Sequence, residues 1–161
     1  EQAATPPGVQ AVPLLTLDEV AVLPAGHALA AQAVLQVQDF ANQPFVSLSA
    51  DDPYRRQIDA RFAEAGVARQ LHLQTHSAVA VCAMVQQGLG LAIVNPLTAL
   101  AMAGSGLVVR RLGFSVPFSI NALLPLYRPA LPEAQPLLQS LEAQAQEVTT
   151  VLQRLLIQPR N

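Results

Sequence analysis

The chain keeps switching between two hydrophobic periods, and that alternation restricts it to one class of fold. Phe45-Val46-Ser47-Leu48 is a short apolar run of strand type. It is followed by Asp52, a natural helix N-cap, and by Pro53, which suits a first helical position. Tyr54, Ile58, Phe62 and Ala65 then recur at helical spacing up to Gly66. Leu71-His72-Leu73-Gln74-Thr75 alternates like a strand, and Ser77 caps a second helix, Ala78–Gln87, stopped by Gly88. Leu89–Val94 is a third apolar strand ended by Asn95-Pro96, with a short helix Leu97–Ala103 closed by Gly104. Further strands are expected at Val20–Leu23, Leu107–Leu112 and Phe118–Leu126. A long helix is expected over Pro132–Leu156, with apolar positions from Leu137 to Leu155 at helical intervals. Glu1–Val12, with Pro6-Pro7-Gly8, reads as an irregular lead-in. Strand and helix in alternation predict an α/β protein with a largely parallel sheet covered by helices on both faces. Ligands of such sheets sit at the carboxyl ends of strands, where helices begin.

Composition removes several functions. Of 161 residues, 52% are hydrophobic and 12% charged, which excludes a disordered chain. The longest purely apolar run, Ala78–Val85, is too short to span a bilayer, so no membrane association is expected. Glu1–Val12 has neither the basic start nor the apolar stretch of an export signal, which points to a cytoplasmic protein. A single cysteine excludes a disulfide framework and a cysteine-based zinc site. Net charge of −2, with all nine cations arginine, argues against a self-sufficient nucleic-acid-binding module.

Two strand-to-helix junctions carry the candidate chemistry: Ser47-Leu48-Ser49-Ala50-Asp51-Asp52-Pro53 and Thr75-His76-Ser77. Each offers unpaired backbone N–H groups beside short polar side chains. N–H groups and hydroxyls hold a carboxylate, and an aspartate holds an amine. Asp52 and Ser77 are accounted for by capping alone, whereas Ser47, Ser49 and Asp51 are not required by it. Catalytic machinery is poorly represented. Ser47 and Ser49 lack the nucleophile elbow, and His76 has no metal partner at helical spacing. Cys82 lies in an apolar run that suits core packing, and Gly88-Leu89-Gly90 follows a helix instead of opening one, so no dinucleotide site is indicated. A helix stop and close strand packing explain both glycines. Arg55-Arg56 and Arg110-Arg111 read as a solvated face or surface ion pairs. No cofactor, metal or catalytic residue is assigned.

Val20-Ala21-Val22-Leu23-Pro24-Ala25-Gly26-His27-Ala28-Leu29-Ala30 resembles a segment of LysR-type transcriptional regulators that marks entrance into the second subdomain of their effector-binding domain, with Ala28 replacing the usual Pro. Phe45–Ser49, Asp52–Arg55, Thr75–Ala78, Val81–Val85, Gly88–Gly90, Val94–Leu100 and Gly106–Arg111 are similar to the lysine-biosynthesis activator and opine-regulator subgroup. The similarity runs from about Val20 to Pro129.

The resemblance implies a type-2 periplasmic-binding-protein fold, here one complete subdomain plus the C-terminal remnant of the other. Residues 1–23 would be the opening segment and first crossover strand, 24–106 the second effector subdomain, and 107–161 the return crossover, a first-subdomain strand and the C-terminal helix. The family's winged helix-turn-helix, linker helix and the first half of subdomain one have no counterpart, so DNA contact is expected only through that missing part. The resemblance further implies a non-enzyme that senses a small amino acid, diaminopimelate-like, in the cleft between subdomains and self-associates as a dimer or tetramer. Family effectors are commonly held by the loop that Ser49-Ala50-Asp51 matches, with Ser47 just before it and the helix N-terminus at His76-Ser77 as a further candidate. The alternatives are a transport solute-binding protein of the same fold, and a hydrolase that would need Ser49 and His76 within hydrogen-bond reach. With the first subdomain incomplete, Phe118–Leu126 and Pro132–Leu156 would show bare apolar faces that pack on another copy, unless the helix is displaced.

Overall fold

A computed structural model describes residues 5–104, 106–128 and 131–157. The elements in chain order are β1 (Val9–Asp18), β2 (Val20–Pro24), β3 (Val34–Leu35), β4 (Pro44–Leu48), α1 (Pro53–Glu64), β5 (Gln70–Thr75), α2 (Ala78–Gln86), β6 (Ala92–Val94), α3 (Pro96–Met102), β7 (Leu107–Leu112), β8 (Pro117–Pro125) and α4 (Ala134–Ile157), with short 3₁₀ turns at Ala28–Ala31 and Val37–Phe40.

The central sheet has the order β3-β7-β2-β6, and Phe45 bridges Leu91 in parallel to bring β4, with its parallel partner β5, onto the β6 edge. β2 is antiparallel to both β6 and β7, while β3 runs parallel to β7. The expected parallel sheet is therefore present with one reversed strand in its middle. Both faces of β2 are covered, which is why its sequence is a continuous apolar run. Val20 and Val22 join Val81, Cys82 and Val85 of α2 in one core, while Ala21 and Leu23 join Ile58 and Phe62 of α1 in the other. In the second core Phe40, Phe45 and Phe62 meet edge-on with centroids 5.6–6.0 Å apart. Each buried ring contributes roughly 1.5–3 kcal/mol. Arg69 lies over Phe45 and Phe62, 4.6 and 4.3 Å from their centroids, and pairs with Asp59.

A second, smaller unit is the antiparallel ribbon of β1 and β8, paired from Val9↔Pro125 to Asp18↔Pro117. This corrects the expected irregular lead-in: residues 9–12 belong to a ten-residue strand, and of that lead-in Glu1–Ala4 lie outside the described residues. The strand exists because β8 supplies its ladder, a partner more than a hundred positions away that local composition does not reveal. α4 packs on β1, α3 and β7. Leu152 is its one buried side chain among the described residues, while Leu137 and Leu141 are 60% and 42% exposed and Leu123 of β8 is 53% exposed.

Two arginines also depart from expectation. Arg55 and Arg110 are buried, not solvated. Arg55 bonds Asp59 and the carbonyl of Leu48, and Arg110 bonds the carbonyls of Ala30 and Val109. Each satisfies backbone oxygens, which offsets the desolvation that lowers both pKa values.

Candidate functional site

The two junctions meet because β4 and β5 are parallel neighbours, with Leu48 opposite Thr75. Their chain ends therefore emerge side by side, and the helices that follow begin together. Ser49 N–H donates to the Thr75 carbonyl at 3.0 Å, and Ser49 Oγ reaches the same oxygen at 3.3 Å. Ser49 Oγ also lies 2.7 Å from His76 Nδ1. Asp52 N–H donates back to Ser49 O at 3.0 Å, closing the turn. Asp52 Oδ1 accepts from the N–H groups of Tyr54 and Arg55 at 2.8 and 3.1 Å, the N-cap expected from sequence. Ser77 Oγ accepts from Ala80 N–H at 3.3 Å, capping α2. Arg55 Nη1 donates to Leu48 O at 2.9 Å and fixes the end of β4 beneath the turn.

Ser49 and His76 are thus brought into direct contact. Asp51 is exposed at the crest of the turn, and Ser77 is exposed and engaged as a cap. Ser47 lies one step back in β4, 2% exposed, in the interior and not on the site's surface. What the arrangement offers is a hydroxyl, an imidazole and the start of α2, suited to an anion, beside the accessible Asp51 carboxylate suited to a cation; the first N–H groups of α1 are taken by Asp52. A cavity of about 550 Å³ lies between the ribbon and the start of α1, its wall including Thr16, Tyr54, Gln57, Ser119 and Asn121 but none of Ser49, Asp51, His76 and Ser77. Tyr54 packs on Phe118 with centroids 5.5 Å apart, joining α1 to the ribbon.

The Ser49–His76 distance meets the requirement set for a hydrolase. The facing nitrogen is Nδ1, and among the described residues no carboxylate bonds to His76, so the base has no orienting acid. Cys82 is buried in the first core and its thiol is pushed up to about 11 by that burial, so it is not a nucleophile at neutral pH. Among the described residues no three His, Cys, Asp or Glu gather as a metal site, and no helix is long and apolar enough to cross a membrane.

Sequence reasoning missed Glu19. It sits at the β1–β2 junction, 2% exposed, and burial followed by the Asp52 carboxylate raises its pKa to about 8. The signal available was an acid immediately before a fully buried strand, in phase with Ala21 and Leu23.

A family model described as the LysR substrate binding domain matches residues 1–146. The transcriptional activator protein LysR of Escherichia coli strain K12 is 46% identical over 156 residues, covering 97% of this chain and 50% of that protein. The regulatory protein NocR of Agrobacterium tumefaciens strain T37 is 28% identical over 123 residues, covering 76% of this chain and 41% of that protein. The chain thus spans half or less of the length of these two relatives. In structure it is similar to the CcmR regulatory domain of Synechocystis PCC6803 in complex with 2-PG, with a TM-score of 0.71 at 17% identity, over 89% of this chain and 71% of that one.

Proposed function

The chain belongs to the LysR substrate binding domain family, and from that premise we propose that it is the effector-sensing part of a bacterial LysR-type transcriptional regulator. In this reading residues 24–106 form one effector subdomain, and residues 1–23 and 107–161 supply the crossovers and part of the other. The effector is a small amino acid, diaminopimelate-like. Its carboxylate lies against Ser49, His76 and the first N–H groups of α2, and its ammonium faces an acid of the Ser49–Asp52 turn. A ligand that prefers one angle between ribbon and sheet shifts the population toward it, and self-associated copies pass that bias to DNA-binding parts outside this chain. A cytoplasmic location follows from that role.

The observation that carries the reading is the meeting of two strand-to-helix junctions, marked by the Ser49 Oγ–His76 Nδ1 contact at 2.7 Å. The test is Ser49→Ala, with meso-diaminopimelate titrated by calorimetry. Affinity should fall more than threefold with the melting temperature unchanged, and an unaltered affinity would refute the placement. The transport-protein reading shares the fold. It would gain from an export signal or lipid-anchor cysteine encoded directly upstream, and a winged-helix segment there supports the regulator.

A further inference from the structure

The ribbon and the sheet are joined by the chain itself, at residues 18–20 and 112–117, and side chains cross that joint as well. α1 belongs to the sheet unit: Ile58 and Phe62 sit in its second core, and the Arg55 guanidinium holds the end of β4. The N-terminus of α1 carries the Asp52 cap beside the Ser49 turn, and at about 1.5 Å of rise per residue Arg61 stands about 13 Å further along. There Arg61 Nε donates to Ser115 O at 3.0 Å. Ser115 lies in the segment that returns to the ribbon, and its Oγ donates to Asp18 Oδ1 at 2.6 Å. Asp18 is the last residue of β1 and pairs with Pro117 at the ribbon's sheet-side end. Two hydrogen bonds thus run from α1 through one residue to the ribbon. The path lies at the surface: Asp18 and Ser115 are exposed, and the Arg61 side chain is 43% exposed. Water competes for such bonds, so they can break without disturbing a core, although the hydroxyl-to-carboxylate one is of the stronger, charge-assisted kind. On the other side of the joint Tyr54, in the first turn of α1, packs on Phe118 with ring centroids 5.5 Å apart, so the ribbon leans onto the start of that helix.

We propose that Arg61, Ser115 and Asp18 form a latch across the joint, holding the ribbon at the angle where it leans on the start of α1. The three are positioning residues. They stand at the far end of α1 from the Ser49 turn and act on it through the ribbon's angle. α1 thereby has two duties, its N-terminus at the effector turn and its C-terminal half at the latch. The latch's part in sensing rests on the effector occupying the Ser49–Asp52 turn, whereas the latch itself does not. With the latch open, α4 still packs on β1, α3 and β7, so the result is a wider spread of angles and not separation of the units. The leaning angle is then less populated, and a ligand that needs it binds more weakly in proportion.

Double electron–electron resonance between spin labels on Asn121→Cys of β8 and Gln74→Cys of β5 reads that angle without any ligand. Both positions are exposed and outside the latch, and the native Cys82 is buried. Ser115→Ala and Asp18→Ala should each widen the distance distribution roughly 1.5-fold or more, and the double variant should widen it no further. Ser115→Thr, which keeps the hydroxyl, should leave it narrow. Arg61→Met should widen it likewise, while Glu64→Gln, which spares the Nε bond, should not. Melting temperatures should stay together, because no core residue changes. Equal widths in the unaltered chain, Ser115→Ala and Arg61→Met overturn the latch, and so does equal widening by Ser115→Thr. Titration with meso-diaminopimelate then tests its part in sensing: affinity should fall about two- to fivefold in Ser115→Ala, the worth of one surface bond. Undiminished affinity there, with Ser49→Ala impaired, refutes that part and leaves the turn as the site. If the probe binds no form, the effector reading falls, and the ligand-free widths alone decide the latch.

Discussion

Replacing Gly90 with alanine tests how β4, and with it the Ser49 turn, is held to the sheet. Gly90 is buried with φ of +151°, a conformation that side chains rarely adopt. A Cβ there would stand 2.7 Å from the Pro44 carbonyl oxygen, 2.8 Å from its carbon and 3.1 Å from the Phe45 nitrogen. All three are backbone atoms, so nothing can rotate aside, and β4 must move away. That movement breaks the pair of bonds that joins it to the sheet, Leu91 N–H to Pro44 O at 2.8 Å and Val46 N–H to Leu91 O at 2.9 Å. Two such bonds are worth about 1 kcal/mol each. Backbone strain at a non-glycine residue adds about 1–3 kcal/mol. The expected loss is about 3–5 kcal/mol, a large share of a typical domain's stability of about 5–15 kcal/mol. Gly88 is the internal control. Its φ is +78° but a Cβ would meet nothing within 4 Å, so Gly88→Ala should cost only about 1–2 kcal/mol. Urea unfolding followed by far-ultraviolet circular dichroism separates the two. Equal losses for Gly88→Ala and Gly90→Ala would refute the argument that backbone approach, and not conformation alone, requires glycine at position 90.

Glu19 makes stability depend on pH in a stated direction. Its folded pKa of about 8 exceeds the 4.5 of a free glutamate side chain, so the folded chain binds more protons than the unfolded one between those limits. The contribution is whole below about pH 4.5 and is lost as pH rises through about 8. Glu19→Gln should therefore match the unaltered chain near pH 5 and be more stable at pH 8.5, by an amount on the order of 4 kcal/mol at about 1.4 kcal/mol per unit. Parallel melting curves at the two pH values with no gap opening at the higher one would contradict this. Asp52→Ala removes two capping bonds and should cost about 1 kcal/mol in urea unfolding at pH 5, with part of that loss recovered at pH 8 because Glu19 is relieved of a like charge. Cys82 should be silent toward a thiol reagent at pH 7.5 in the folded chain and react fully in denaturant, and rapid labelling of folded protein would disprove its burial in the α2 core.

The parts of the fold legible in sequence are those decided locally. Asp52-Pro53 starts a helix wherever the rest of the chain lies, because the cap bonds reach only to Tyr54 and Arg55. Ser77 behaves alike, and the apolar strand at Pro44–Leu48 and the alternating one at Gln70–Thr75 place Ser49 and His76 together once the two pair in parallel. What was not legible depends on distant partners. Val9–Val12 is strand only because Ala122–Pro125 lies alongside. Arg110 is buried because the carbonyl of Ala30, eighty positions earlier, needs its guanidinium. Ser47 adjoins the turn in sequence, but β4 is covered on both faces, so its side chain is interior whichever way it points. Glu19 went unnoticed because an acid ahead of an apolar strand usually reaches water, and here the crossing of residues 112–117 closes over it.

The ribbon leaves the sheet by two adjacent threads, residues 18–20 and 112–117, running in opposite directions and stitched at Glu19 N–H to Val116 O. A single thread would swivel freely, whereas a stitched pair behaves like a door on two pins: it swings about the line through both and resists torsion. α4, seated on β1, α3 and β7, ties the ribbon to the sheet a third time, so any swing about those pins must carry that helix with it. The pivot of that swing lies at Glu19 itself, so a change of charge there acts on the axle and not on the leaf.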